Sequence, residues 1–215
     1  MNDPRGSIWR KWDLHVHTRE DTNYTCLSTN SLSPEALNRL ITDTNLTQAQ
    51  ITSQEKQINS EQYAKLLCAY VNLFTELSVI AITNHNSGND LDEIINCSEN
   101  YDKVKIFPGV EVTSSHGIHI VCIFSRENLW RTTWKDAIEH FLTEIQVPSG
   151  RFTALREPLA AQITSQAILE KTAERGGVCI FAHIQTQNGL FKQSATASGG
   201  TVYVFSKNET NLPLN

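Results

Sequence analysis

The sequence has few of the features that mark a secreted, membrane-spanning or disulfide-stabilised protein. Its cysteines number five, and no two have the C-x-x-C spacing of a structural zinc site, so we expect neither a disulfide framework nor a zinc knuckle. The amino terminus shows no apolar stretch of the signal-peptide type, and the longest apolar runs, such as residues 118–124, are too short to cross a bilayer. These absences predict a cytoplasmic protein that does not associate with membranes.

An excess of positive charge is also missing. Lysine and arginine number 18 against 23 acidic residues, for a formal net charge of −5. This balance gives no electrostatic reason to expect tight, non-specific binding of nucleic acid. It does not exclude a nuclease, because bound metal ions can supply positive charge locally. A chain of 215 residues with 40% hydrophobic residues is long enough for one globular domain.

Short apolar runs alternate with amphipathic segments along most of the chain, which predicts an α/β fold with a mainly parallel sheet. Strands are predicted at 12–17, 79–83, 104–107, 110–113, 118–124 and 178–182, with a Pro-Gly turn before the fourth. Helices are predicted from Ser33, from Ser60, and over 91–95, 134–145 and 163–175. Residues 42–59 are interpreted as a loop or a solvated helix. We predict one domain over 1–192 and a poorly ordered polar tail over 193–215.

Histidines and one glutamate lie near the ends of these predicted strands. In the first strand, Trp12 and its alternate neighbours form an apolar side, and Asp13 lies on the other side with two of the histidines. Since the carboxyl ends of parallel strands meet at one mouth of a barrel, we expect these side chains to converge. The candidate metal ligands are His15, His17, His85, Glu111, His119 and His183. Asp13 is placed to hydrogen-bond a ligand from behind.

Imidazole and carboxylate ligands suit Zn, Mn or Fe better than Ca or Mg. A single glutamate among several histidines can bridge two ions, and such a pair could generate hydroxide at neutral pH for attack on a phosphoester. Each residue alone has an ordinary explanation. The H-x-H pair occurs on surfaces, His119 would suit a core position, His116 competes with it for the same role, and His140 is interpreted as structural. Their shared placement at strand ends favours a metal site.

Four sequence motifs resemble those of the PHP (polymerase and histidinol phosphatase) superfamily. Residues 13–18 (DLHVHT) resemble its first motif, and residues 82–86 (ITNHN) its second. Residues 108–113 (PGVEVT) with 118–121 (IHIV) resemble the third, and residues 176–183 (GGVCIFAH) the next. The opening residues 6–12 and the long helical insert are similar to the N-terminal PHP domain of TrlF-like proteins, which precedes an SMC-type ATPase region.

The resemblance implies a distorted β/α barrel of seven strands, two or three divalent metal ions, and hydrolysis of a phosphoester by metal-bound hydroxide. It also implies roles for the ligands: His15 and His17 at a first ion, Glu111 as the bridge, His119 and His183 at a second ion, and His85 at a third. Two departures from the motifs stand out. Asn84 occupies a position where the family has Asp, and the closing D-x-H motif has no counterpart after His183. The sequence therefore predicts a barrel that is incomplete at its carboxyl end.

Three functions remain open from the sequence. The first is a metal-dependent phosphoesterase acting on nucleic acid or on a small phosphate ester. The second is a degenerate or truncated PHP module with a regulatory or binding role, which Asn84 and the missing D-x-H motif favour. The third is a histidinol-phosphatase-like enzyme, which the long insert and the tryptophan-rich amino terminus argue against. No basic patch, aromatic platform or glycine-rich phosphate loop selects a substrate.

Overall fold

The structure, a computed structural model, describes residues 10–21, 24, 26–53 and 58–182. These residues form a mixed α/β protein, as predicted. The strands are β1 (Lys11–Val16), β2 (Leu77–Ile82), β3 (Lys105–Thr113), β4 (His119–Ile123) and β5 (Val178–Phe181). The α-helices are α1 (Pro34–Thr44), α2 (Gln48–Thr52), α3 (Ser60–Phe74), α4 (Leu91–Ser98), α5 (Trp134–Glu144) and α6 (Ser165–Glu174). Five strands within the described ranges do not confirm a seven-stranded barrel, and the predicted tail over 193–215 lies outside those ranges.

The described residues divide into two compact units. The first contains the chain up to Ile82 together with Asn89–Phe107, and the second contains Thr83–Gly88 and the chain from Pro108 onward. Neither unit is continuous in sequence, because the short segment after β2 belongs to the second unit.

In the first unit, β1 and β2 pair in parallel, with Lys11 opposite Leu77 and Val16 opposite Ile82. A parallel pair needs a crossover connection, which α1, α2 and α3 provide. Helix α3 packs against α1 and α4. Seven of its 15 residues are buried and form the centre of this unit's core: Tyr63, Ala64, Leu66, Leu67, Cys68, Ala69 and Val71.

Two sequence predictions in the first unit need correction. Trp12 was placed on the apolar side of its strand, but it is 62% exposed, since the first half of β1 is exposed on both faces. The region predicted as a loop or solvated helix contains α2, whose Ile51 is fully buried. A capping box between Thr47 and Gln50 begins this helix by satisfying backbone N–H groups that otherwise lack partners.

The second unit corrects the prediction of a mainly parallel sheet. Strand β3 pairs antiparallel with β4, from Gly109–Ile123 to Thr113–His119, and β4 pairs antiparallel with β5. The reason is the connection between β3 and β4, which spans only residues 114–118 and is too short for a parallel crossover. The N–H of Ser114 donates to the carbonyl of Ile118 and closes this turn.

Strand β3 also differs from its prediction, because no turn occurs at Pro108–Gly109. The strand is continuous through both residues. Pro108 lacks a backbone N–H, but its carbonyl accepts a hydrogen bond from the N–H of Phe124 at 2.9 Å. The strand therefore keeps its pairing with β4 up to the proline.

Helix α5 completes the apolar core of the second unit. Its Phe141 stacks edge-on against Phe124, which in turn contacts Trp130. Among the residues that the structure describes, no helix is long and apolar enough to cross a membrane.

Candidate metal centre

The segment that follows β2 brings His85 to β3. His85 forms a parallel bridge with Glu111. The N–H of Glu111 donates to the carbonyl of Asn84, and the N–H of Asn86 donates to the carbonyl of Glu111, both at 3.1 Å. Two backbone hydrogen bonds on either side of His85 therefore fix its register against Glu111.

His119 reaches the same end of the sheet by a different route. It is the first residue of β4, and β4 runs antiparallel to β3. The amino end of β4 therefore lies beside the carboxyl end of β3, where Glu111 is found. The sequence predicted this convergence from parallel strands, whereas in this unit a tight hairpin produces it.

The three side chains form a compact, shielded cluster. Glu111 is fully buried and His85 is 3% exposed. One carboxylate oxygen of Glu111 lies 2.8 Å from Nδ1 of His119, and the other lies 3.1 Å from Nε2 of His85. A carboxylate only accepts hydrogen bonds, so a hydrogen bond in either contact requires a proton on the ring nitrogen that faces Glu111. Burial of Glu111 is tolerable because each oxygen has a polar partner.

The donor set fits a transition-metal ion. One ligand atom from each of His85, Glu111 and His119 lies within 4.8 Å of the other two. Metal bonds of about 2.0–2.2 Å to histidine nitrogen and carboxylate oxygen place tetrahedral ligands roughly 3.3 Å apart, close to the two observed contacts. Two imidazoles and one carboxylate suit Zn, Mn or Fe. Binding would replace the two ring protons that face Glu111.

The structure also distinguishes His119 from His116, the two histidines that were candidates for the same ligand position. His116 is exposed in the turn between β3 and β4, whereas His119 contacts Glu111. Ala182, directly after β5, donates its N–H to the carbonyl of His119 at 3.0 Å. The next residue, His183, lies outside the described residues, and its assignment as a ligand stays a prediction.

The candidate residues of the first unit lie together at the end of β1. The rings of His15 and His17 are 4.9 Å apart and nearly edge-on. Asp13 is exposed, and its carboxylate accepts a hydrogen bond from the backbone N–H of His15 at 3.2 Å. The metal-binding roles of both histidines and the supporting role of Asp13 stay predictions.

Sequence reasoning missed Asp21. This residue is 8% exposed, and its carboxylate lies 3.1 Å from Nδ1 of His17. The available signal was its position four residues after the second histidine of the H-x-H motif. Asp21 joins His17 as a second potential ligand on the loop that follows β1.

Two asparagines flank His85 and have different roles. Asn84 is 1% exposed and accepts the backbone hydrogen bond from Glu111 described above. Asn86 adopts a left-handed conformation with φ of 45°, which asparagine tolerates better than most residues. Its side-chain amide donates to the carbonyls of Arg151 and Leu159 at 3.0 and 2.8 Å. The residue after His85 therefore anchors the loop between α5 and α6, another contact that the sequence did not indicate.

Comparison with known proteins adds two similar structures. No family model matches the sequence, and no curated protein matches it. The lesion-specific endonuclease PfuEndoQ from Pyrococcus furiosus is similar with a TM-score of 0.44 and 14% identity, over 88% of this chain and 38% of that chain. Endonuclease Q in complex with a 27-mer duplex that has an abasic lesion at the active site is similar with a TM-score of 0.42 and 13% identity. That match covers 82% of this chain and 35% of the other, so the chain spans less than two fifths of either endonuclease.

Proposed function

We propose that the protein is a metal-dependent phosphoesterase and that His85, Glu111 and His119 bind its metal ion. The observation that carries the proposal is the buried Glu111 carboxylate, each oxygen of which faces a separate imidazole. An ion pair that only stabilises the fold needs one imidazole for the carboxylate. A carboxylate between two imidazoles places three potential metal ligands at one point. The resemblance of the surrounding motifs to the PHP superfamily supports the reaction class.

A bound Zn²⁺, Mn²⁺ or Fe²⁺ would supply Lewis acidity and activate water for attack on phosphorus. Within the chain, Glu111 orients both imidazoles, and the backbone bonds of Asn84 and Asn86 hold His85 in register. His15, His17 and His183 are proposed as further ligands from their motif positions, with Asp13 supporting them. A two- or three-ion centre belongs to this proposal.

The proposed substrate is a phosphoester, with nucleic acid as the class to test first. A net charge of −5 argues that affinity for a polyanion would come from a metal site rather than from the general surface. An SMC-type ATPase region downstream stays a prediction from the resemblance, and a cytoplasmic location stays a prediction from the sequence itself.

The deciding experiment is metal content per chain, measured by elemental analysis after loading with Mn²⁺ or Zn²⁺ and gel filtration. We expect metal in the wild type and a marked loss in Glu111→Gln and His119→Ala. The matched controls are Glu127→Gln and His116→Ala, which change exposed residues of the same unit and should retain the ion. Equal retention in all variants would place the ion at other residues, and no metal in the wild type would leave the cluster as a buried ion-pair network.

Turnover on the same samples separates the two leading functions. We expect hydrolysis of bis-p-nitrophenyl phosphate and of oligonucleotides to follow metal content across the variants. Bound metal without turnover on mono- or diesters would favour the degenerate module, the alternative that Asn84 supports. Turnover restricted to small monoesters would point to a small-molecule phosphatase.

A further inference from the structure

Two cysteines that the proposed reaction does not use face each other across β4 and β5. Cys122 lies directly opposite Cys179 in the antiparallel register, and their sulfur atoms are 3.8 Å apart. Both are free thiols. A disulfide between them also requires a suitable distance between their Cα atoms.

The backbone hydrogen bonds between β4 and β5 show that the two cysteines are placed suitably for a disulfide. Opposite residues in an antiparallel pair alternate between hydrogen-bonded and non-hydrogen-bonded positions. The bond from Ala182 to the carbonyl of His119 makes those two residues a hydrogen-bonded pair, and so Cys122 and Cys179, three steps along, form a non-hydrogen-bonded pair. Such pairs have Cα atoms about 4.5 Å apart, which lies within the range of about 4.4–6.8 Å that disulfides span.

We propose that Cys122 and Cys179 are a modification site at which a peroxide forms a reversible cross-strand disulfide. The Cys179 thiolate attacks one peroxide oxygen, the O–O bond breaks, and water leaves after protonation, so that Cys179 becomes a sulfenic acid. The Cys122 sulfur then attacks the Cys179 sulfur, the S–O bond breaks, and the second water leaves. Two thiols lose two hydrogens and one hydrogen peroxide is reduced to two waters.

The surroundings of the two cysteines indicate which thiol reacts with the peroxide and which thiol then closes the disulfide. Cys179 is partly exposed and can meet the oxidant, whereas Cys122 is completely buried. A hydrogen bond with Cys122 lowers the pKa of Cys179, and burial raises the pKa of Cys122. The thiolate is the reactive form of cysteine, so Cys179 reacts first and Cys122 resolves.

The first unit supplies a control. Cys97 is partly exposed on α4, and a hydrogen bond with Cys68 lowers its pKa as well. Its partner lies on another helix, α3, so this pair lacks the strand register that favours the β4–β5 bond. A Cys97→Ser variant therefore removes a comparable thiol without touching β4 or β5.

The test treats the full chain, stripped of metal with a chelator, with a small excess of hydrogen peroxide. Free thiols are then blocked with iodoacetamide, and a non-reducing digest is analysed by mass spectrometry. We expect a linked peptide joining Cys122 to Cys179, the loss of two titratable thiols, and recovery of both with dithiothreitol. Cys97→Ser should give the same linked peptide, and Cys179→Ser should give none.

A trapping experiment covers the case in which a variant folds poorly. In Cys122→Ser the resolving thiol is gone, so dimedone should label a sulfenic acid at Cys179, whereas the wild type should show little adduct. Absence of the linked peptide from the folded wild type, or its appearance between other cysteines only, would overturn the proposal. The result is independent of metal binding and of turnover, so it stands or falls separately from the proposed function.

Discussion

At the scale of single residues, Asn84 is a buried, uncharged residue directly before His85 of the candidate metal cluster. It is almost fully buried, and its backbone carbonyl bonds to Glu111. An aspartate there would add a second buried carboxylate on a residue whose backbone bonds to that of Glu111. Two carboxylates at one site repel each other without a cation, and a divalent ion relieves that repulsion.

We therefore predict that Asn84→Asp lowers stability without metal and increases the stabilisation that metal provides. The loss should be about 1–3 kcal/mol with chelator present, the range for a buried polar group without a suitable partner. Thermal melts with chelator and with Mn²⁺ measure both effects. The control is Asn38→Asp on the exposed side of α1, which should change neither; a parallel response in both variants would argue against a local charge effect.

Arg19 is a structural residue of the first unit. Its guanidinium donates to the carboxylate of Asp90 at 3.1 Å, to the carbonyl of Ile58 at 2.7 Å and to the hydroxyl of Ser60 at 3.2 Å. It also lies over the ring of Tyr63 at 5.0 Å. These contacts tie the loop after β1, which carries His17 and Asp21, to the amino end of α3.

Arg19→Ala should destabilise the chain by about 3 kcal/mol, because it leaves the buried Asp90 carboxylate without its cation. Urea denaturation measures the loss. Arg10→Ala, at an exposed position, should cost less than about 0.5 kcal/mol. The double variant Arg19→Ala/Asp90→Ala should lose less than the sum of its single changes, and strict additivity would contradict the pairing.

The candidate site could be proposed from the sequence, whereas the residues that support the surrounding loops could not. His85, Glu111 and His119 follow or begin short apolar runs, so local pattern was enough to select them. Arg19 and Asn86 contact segments far away in sequence, and no local pattern encodes such contacts.

At the scale of elements, the apolar runs predicted that strands exist but not which way they run. The run at 118–124 reads identically for a parallel or an antiparallel strand, because side-chain alternation has no direction. The length of the preceding connection was the available clue, since residues 114–118 leave no room for a crossover. The Pro-Gly pair misled for a related reason: it favours turns in general, but pairing with β4 keeps β3 extended.

The loop between α5 and α6 depends on Asn86, and we predict that Asn86→Ala loosens it. Alanine loses two amide hydrogen bonds and must also adopt a left-handed conformation, for a total of about 3 kcal/mol. Asn86→Gly removes only the side chain and should cost about 2 kcal/mol. Urea denaturation gives both values, and limited proteolysis should find new cleavage within residues 147–160. Unchanged cleavage in both variants would show that other contacts hold the loop.

Helix α3 begins with a reciprocal cap. The side chain of Asn59 accepts from the N–H of Gln62 at 2.9 Å, and the side chain of Gln62 accepts from the N–H of Asn59 at 3.0 Å. Asn59→Ala should therefore cost about 1 kcal/mol. Lys65→Ala removes only an exposed ion pair with Glu61 on the same helix and should cost less than Asn59→Ala, because solvent screens exposed pairs. Chemical denaturation that ranks the two variants in the opposite order would refute the importance of the cap.

At the scale of the whole molecule, metal binding should protect one unit by itself. The three proposed ligands all lie in the second unit, and an ion at 100 times its Kd would stabilise the folded state by about 2.7 kcal/mol. We predict slower amide hydrogen exchange over residues 83–88 and 108–123 on addition of Zn²⁺ or Mn²⁺. Hydrogen-exchange mass spectrometry measures this, with Glu111→Gln as the control that should show no slowing. Protection confined to residues 11–21 would instead locate the ion at His15 and His17.

His85 and Glu111 come from separate segments of the chain, so the order of synthesis determines when the bridge between them can form. His85 is synthesised before any of β3 or β4, so its carboxylate partner Glu111 is added later and His119 later still. At about 5–20 residues per second, the interval between positions 85 and 119 is roughly 2–7 s. A nascent chain stalled within that interval would lack His119, and one stalled before residue 111 would lack Glu111 as well. If this cluster binds an ion as proposed, all three of its side chains are present only after the β3–β4 hairpin has been translated, so synthesis of the hairpin sets the earliest time at which the nascent chain can retain that ion.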